Sequence, residues 1–106
     1  MVQPAAFLLD LDGTLYTDQG PVPGGPELLA LLRRQGIPFR AVTNTTTRSR
    51  ARLVERLAGF GYRLSVEEIM TPVLAAATLC RSRGRHRVVA YAPEAAWEDL
   101  EGLEIE

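Results

Sequence analysis

Residues Ala6–Leu11, AFLLDL, form a short apolar run that does not alternate, closed by the acids Asp10 and Asp12. Such a run predicts a strand with apolar neighbours on both faces, and in soluble chains that arrangement belongs to a parallel sheet covered by helices. Residues 13–24, GTLYTDQGPVPG, are dense in Gly, Pro and Asp and read as an ordered loop. Pro26 then stands at a first helical position, Leu28, Leu29 and Leu32 mark a buried stripe, and Gly36 follows as a stop. A second strand begins after Pro38, with Phe39, Ala41 and Val42 leading into Thr43.

The same alternation continues. After the polar loop Thr43–Thr47, a second helix turns Leu53, Val54 and Leu57 inward and Arg50, Arg52, Glu55 and Arg56 toward water, ending at Gly59 and Gly61. Ser65 and Glu68 have capping-box spacing for a short turn of helix, and Thr71 with Pro72 opens a third helix running to Cys80. Val88, Val89 and Tyr91 predict a third strand, Pro93 opens a helical turn around Trp97, and Ile105 begins a further element. The expected fold class is α/β: a Rossmann-like, three-layer core with a parallel sheet, built here from its first three strand-helix units.

Composition narrows the function classes. A chain of 106 residues that is 46% apolar and 24% charged is an ordinary soluble domain, and no apolar run approaches the length of a membrane span. The net charge of -1 gives no electrostatic reason to expect nucleic acid or an acidic membrane as partner. Cys80 is the single cysteine and the N-terminus lacks a secretory pattern, so a reducing cytoplasm is the expected compartment. All twelve basic residues are arginine, so no step in this polypeptide can use a lysine ammonium.

The residues that carry chemistry stand at the ends of the first two strands. Ligands of parallel sheets bind outside the carboxyl ends of the strands, which is where Asp10, Leu11, Asp12, Gly13 and Thr14 fall. Strand alternation aims Asp10 and Asp12 the same way, and two acids on one rim suit a division of labour between attack or metal holding and proton transfer. Gly13 permits a sharp exit and a close approach of amides to an anion. An Asp-Gly turn without chemistry would look similar, but the string Asp-x-Asp-Gly-Thr arises by chance in only about one chain in a thousand of this length.

DLDGTLY resembles the first motif of the haloacid dehalogenase superfamily, whose members are mostly magnesium-dependent phosphatases. Thr43, Asn44 and Thr45 resemble its second motif, and the string AVTNTTTRSRARLVERLAGFGYRLSVEEIMTP is similar to the subgroup that carries a large cap and includes 4-nitrophenylphosphatase-like enzymes. The resemblance implies that Asp10 attacks phosphorus and that Asp12 acts as general acid and then general base. It implies that Asp10 and the Asp12 backbone carbonyl ligate Mg²⁺, and that Gly13, Thr14, Thr43, Asn44 and Thr45 bind phosphate, the last three at the start of the second helix. A small phosphorylated substrate is the implied partner, without nucleic acid or membrane.

The family's third motif, a lysine or occasionally an arginine, and its fourth, an acidic cluster, have no counterpart that can be placed in this chain. In that superfamily the first strand is central, so a chain holding only its first units leaves AFLLDL as a bare apolar edge. The expectation is therefore the N-terminal part of a phosphatase of roughly 250 residues, with the cap and the second half of the core absent. The alternative expectation is a non-catalytic phosphate-binding or assembly module that forms homo-oligomers through that edge. The basic run Arg81, Arg83, Arg85, His86 and Arg87 reads as a solvated helix end, since no aromatic platform interleaves it.

Overall fold

The structure, a computed structural model, describes residues 5–106. In chain order it consists of β1 (Phe7–Asp10), β2 (Tyr16–Thr17), β3 (Gly20–Pro21), α1 (Gly25–Arg34), β4 (Phe39–Val42), α2 (Arg50–Ala58), a 3-10 turn (Val66–Glu68), β5 (Ile69–Met70), α3 (Pro72–Ser82), β6 (Arg87–Val88), a longer 3-10 segment (Glu94–Leu100) and β7 (Glu104–Ile105). The main sheet is parallel with order β1-β4-β5, in a register that sets Phe7 opposite Phe39, Asp10 opposite Val42, and Val42 opposite Met70.

Both crossovers step the same way along this sheet, from β1 to β4 to β5. Right-handed connections of that kind place α1 and α2 on one face. Leu29 and Leu32 of α1, Leu53 and Leu57 of α2, and Tyr62 therefore pack on Leu9, Phe39, Ala41 and Ile69 as one core. The opposite face is open: Leu8 is 78% exposed and Met70 40%. This corrects the expectation that the first strand is covered on both sides: among the described residues the helices packed on it lie on one face.

A second correction concerns the third strand. The main sheet is completed by the two residues Ile69 and Met70, whereas Val88 pairs in parallel with Ile105 in a separate sheet formed by β6 and β7. Val89 and Tyr91, read from sequence as strand, are exposed and outside it. A second core explains the separation: Val73 and Ala77 of α3 pack on Ala96 and Leu100 of the longer 3-10 segment, with Trp97, Leu103 and Ile105 around them. The two clusters share no residue.

Local chemistry sets the element boundaries. Pro26 lies in the first turn of α1, Ser49 caps α2 by accepting from the Arg52 amide at 3.3 Å, and Thr71 caps α3 by accepting from the Leu74 amide at 3.1 Å. The Glu68 side chain accepts from the Ser65 amide at 3.0 Å, the expected reach-back of a capping box. In the loop after β1, β2 and β3 form a short antiparallel hairpin that sequence patterning did not single out. Within the basic run, Arg87 pairs with the carboxylates of Glu104 and Glu106, which answer part of its charge, and Arg81 donates to the Glu101 carbonyl at 2.6 Å. No helix among the described residues is long and apolar enough to cross a membrane.

Candidate active site

Strand register brings the two sequence motifs together. Asp10 ends β1 directly opposite Val42, the last residue of β4, and Thr43 follows Val42, so the acidic and hydroxyl-bearing segments leave the sheet side by side. Neighbouring strands are ~4.8 Å apart. Asp10 and Asp12 are both exposed, and the ion pairs among the described residues involve neither.

The turn after β1 is built around one acceptor. The Leu11 carbonyl receives the amides of Thr14, Leu15 and Tyr16 at 3.1, 2.9 and 3.4 Å, while the Gly13 amide donates to the Tyr16 carbonyl at 2.8 Å. Gly13 has φ 78°, a conformation that a side chain would strain. The Gly13 and Thr14 amides are thus engaged inside the turn. What Thr14 presents outward is its exposed side chain, and the Asp12 carbonyl accepts no backbone hydrogen bond from the described residues.

Tyr16 stands next to this turn, bridged to Asp12 through the backbone and only 3% exposed. Its ring stacks on Phe60 with centroids 5.1 Å apart, and the Arg56 guanidinium lies 5.4 Å above it. Burial pushes the phenol above its ordinary value of 10.0, the Asp12 carboxylate that it faces pushes it further, and Arg56 opposes both. Sequence reading passed over Tyr16. Its place in DLDGTLY was visible, but the partners that bury it come from α2 and the turn beyond.

On the neighbouring strand end, Thr43 is 3% exposed, its amide donates to the Met70 carbonyl, and its Oγ1 both accepts from the Thr45 amide at 3.1 Å and donates to the Thr45 hydroxyl at 3.0 Å. Asn44 is exposed and Thr45 half-buried. Thr43–Thr47 is a loop ahead of the second helix, as its polar composition predicts, and Thr43, Asn44 and Thr45 do not reach the helix start that the family resemblance implies for them. The loop runs on through a bend at Thr47 and Arg48 to Ser49, and α2 opens only at Arg50. Ser49 caps the helix there, and Asp99 Oδ2 accepts from the Arg50 amide at 2.8 Å. Arg50, expected to face water, is half-buried against Asp99, with Nε 3.0 Å from Oδ1.

For a divalent cation this site offers two oxygen donors from the chain, the Asp10 carboxylate and the unengaged Asp12 carbonyl, both suited to a hard ion. No group of three or more His, Cys, Asp or Glu side chains among the described residues could hold a metal ion.

The model of the family described as haloacid dehalogenase-like hydrolase matches residues 7–106. The chain is 38% identical over 99 residues to rat haloacid dehalogenase-like hydrolase domain-containing protein 2, an alignment covering 93% of this chain and 38% of that protein. Among solved structures, a p-nitrophenyl phosphatase from Archaeoglobus fulgidus superposes with a TM-score of 0.83 at 32% identity, covering 96% of this chain and 40% of the other. A glycerol phosphate phosphatase from Mycobacterium tuberculosis in complex with calcium superposes with a TM-score of 0.77 at 25% identity, covering 96% and 31%. The chain thus spans about two fifths of the length of the curated relatives it matches first. With the fold, the motif order and the family model in agreement, the chain belongs to the haloacid dehalogenase-like hydrolases.

Proposed function

We propose that this chain carries the phosphoryl-transfer half of a divalent-metal-dependent phosphatase that acts on small phosphate esters. The observation that carries the reading is the register of β1 on β4, which puts Asp10, Asp12 and Thr43 on two adjacent strand ends. Phosphatase names among the structural neighbours support the reaction class. Asp10 Oδ attacks phosphorus in line with the ester oxygen; the O–P bond to Asp10 forms as the ester P–O bond breaks, giving an aspartyl phosphate. Asp12 gives its proton to the departing alkoxide and then takes one from the water that cleaves the acyl phosphate, restoring Asp10 and releasing inorganic phosphate.

Thr43, Asn44 and Thr45 hold the phosphoryl oxygens, with Gly13 and Thr14 bounding the pocket from the first strand end. Because Thr43 Oγ1 already bonds Thr45, productive binding requires that pair to open. Asp10 and the Asp12 carbonyl are the residues that would hold Mg²⁺. Such an ion, when bound, neutralises charge on the transferring phosphoryl group. The free, half-buried Cys80 fits a reducing compartment such as the cytoplasm.

Asp10→Asn is expected to abolish Mg²⁺-dependent hydrolysis of 4-nitrophenyl phosphate; wild-type turnover in that variant sinks the mechanism. A second reading, a non-catalytic assembly module, is favoured by one observation: β1 is an edge strand whose Leu8 is 78% exposed. On that reading light scattering shows a dimer or larger species and hydrolysis is negligible with Mg²⁺. A monomer with robust turnover excludes it.

A further inference from the structure

The two cores are joined through a charged contact. Asp99 belongs to the 3-10 segment of the second core and is 6% exposed. Both of its oxygens are used by one residue of the first unit: the Arg50 amide donates to Oδ2 at 2.8 Å and Arg50 Nε to Oδ1 at 3.0 Å. The same guanidinium donates to the Val66 carbonyl at 3.1 Å, tying the turn before β5 into the contact. Ser49, fully buried, supplies the conventional cap one residue earlier.

A backbone amide at a helix start beside a guanidinium fork is the donor set that recognises oxyanions such as phosphate and sulfate. Here a carboxylate from 49 residues along the chain fills it. We propose that Asp99 is a built-in anion that latches the second core to the loop carrying Thr43 and closes the N-terminus of α2 to outside anions. Asp99 is thus a positioning residue. It acts through Arg50 on the segment 43–49, confines phosphoryl recognition to the strand ends, and makes any movement of the second core break charge-assisted hydrogen bonds. The latch stands on contacts within the chain, and only its effect on phosphoryl recognition rests on the proposed function.

The test uses the 106-residue chain. Asp99→Asn keeps the side chain's size and removes its charge. Hydrogen exchange followed by NMR is expected to show the Arg50 amide exchanging about tenfold faster, with the Leu9 and Ala41 amides unchanged. Unaltered exchange at Arg50 overturns the latch. Asp99→Ala empties the position, and its Tm is expected to fall by about 5–15 °C. Inorganic phosphate should then recover part of that loss beyond sodium chloride of matched ionic strength, with no such gain in the wild type. Absence of a phosphate-specific gain in the variant, or an equal gain in the wild type, overturns the built-in anion. If Asp99→Ala does not fold in chloride, the proposal expects phosphate to fold it, and a chain that stays unfolded in phosphate counts against it.

Discussion

Tyr62 ties the hairpin loop to the helices. It is 1% exposed, its hydroxyl donates to the Leu15 carbonyl, and Gly25 faces it so closely that a Cβ there would overlap the hydroxyl. Gly25→Ala is therefore expected to destabilise the chain by about 1–3 kcal/mol, measured by thermal denaturation. Burial pushes the Tyr62 phenol above 10.0, with the Glu27 charge adding to it. A raised value means that the folded chain keeps this proton longer than the unfolded one. The resulting stability is complete below pH 10.0 and is lost as pH rises through the folded value. Tyr62→Phe should flatten the alkaline limb of a stability-against-pH curve. On the acid side, burial would raise the Glu68 carboxyl, but hydrogen bonds from Arg33 and from the Ser65 amide overcome it and hold the group below 4.5. Its contribution is present above pH 4.5 and lost as pH falls through the folded value. Glu68→Gln should make that acid loss shallower in the same measurement. At this scale the position of Asp10, Asp12 and Thr43 at or just beyond strand ends was legible in the sequence, because apolar patterning itself marks where strands end. Asp99 was not, because nothing near residue 99 shows that its partner is the amide of residue 50.

Among the elements, helices were read more faithfully than strands. Pro26 and Thr71 act within one turn of their own positions, so their sequence signals and structural effects coincide, while the Ser49 cap of α2 emerges from the structure. Ser49→Ala should lower stability by about 1 kcal/mol, seen in urea unfolding, because the Arg52 amide loses its buried cap. β5 escaped notice because two residues carry no periodicity; only pairing with Ala41 and Val42 makes them a strand. Val88–Tyr91 had the better strand composition and still left the main sheet, since α3 takes its own apolar partners from residues 96–105. β-propensity describes a surface that fits, and the fit here belongs to a different core.

Taken whole, the chain is flat and extended: its axes measure 46 × 34 × 18 Å, and its radius of gyration is 15.4 Å. A compact chain of this length would have a radius near 13 Å. The excess follows from two separate cores and an uncovered sheet face. The smaller core, built on Val73, Ala77, Ala96 and Leu100, should open first, so native-state hydrogen exchange is expected to protect Leu9, Ala41 and Leu53 more strongly than Ala77. Equal protection in both clusters would mean that they unfold as one unit.

The wiring of the turn after β1 has a consequence for how a ligand can sit. With the Gly13, Thr14 and Leu15 amides all satisfied internally, the first strand end presents lone pairs: two carboxylates and a free carbonyl. At the second strand end the Thr43 hydroxyl is spent on Thr45, and the donor left over is the Asn44 amide, which donates to no backbone group among the described residues. One strand end is thus rich in acceptors and the other keeps a free donor. A ligand lying across the two strand ends would meet acceptors at one and a donor at the other. By keeping its own amides to itself, the backbone of this turn leaves the first strand end without donors, so an anion would have to find its hydrogen bonds on the neighbouring strand end.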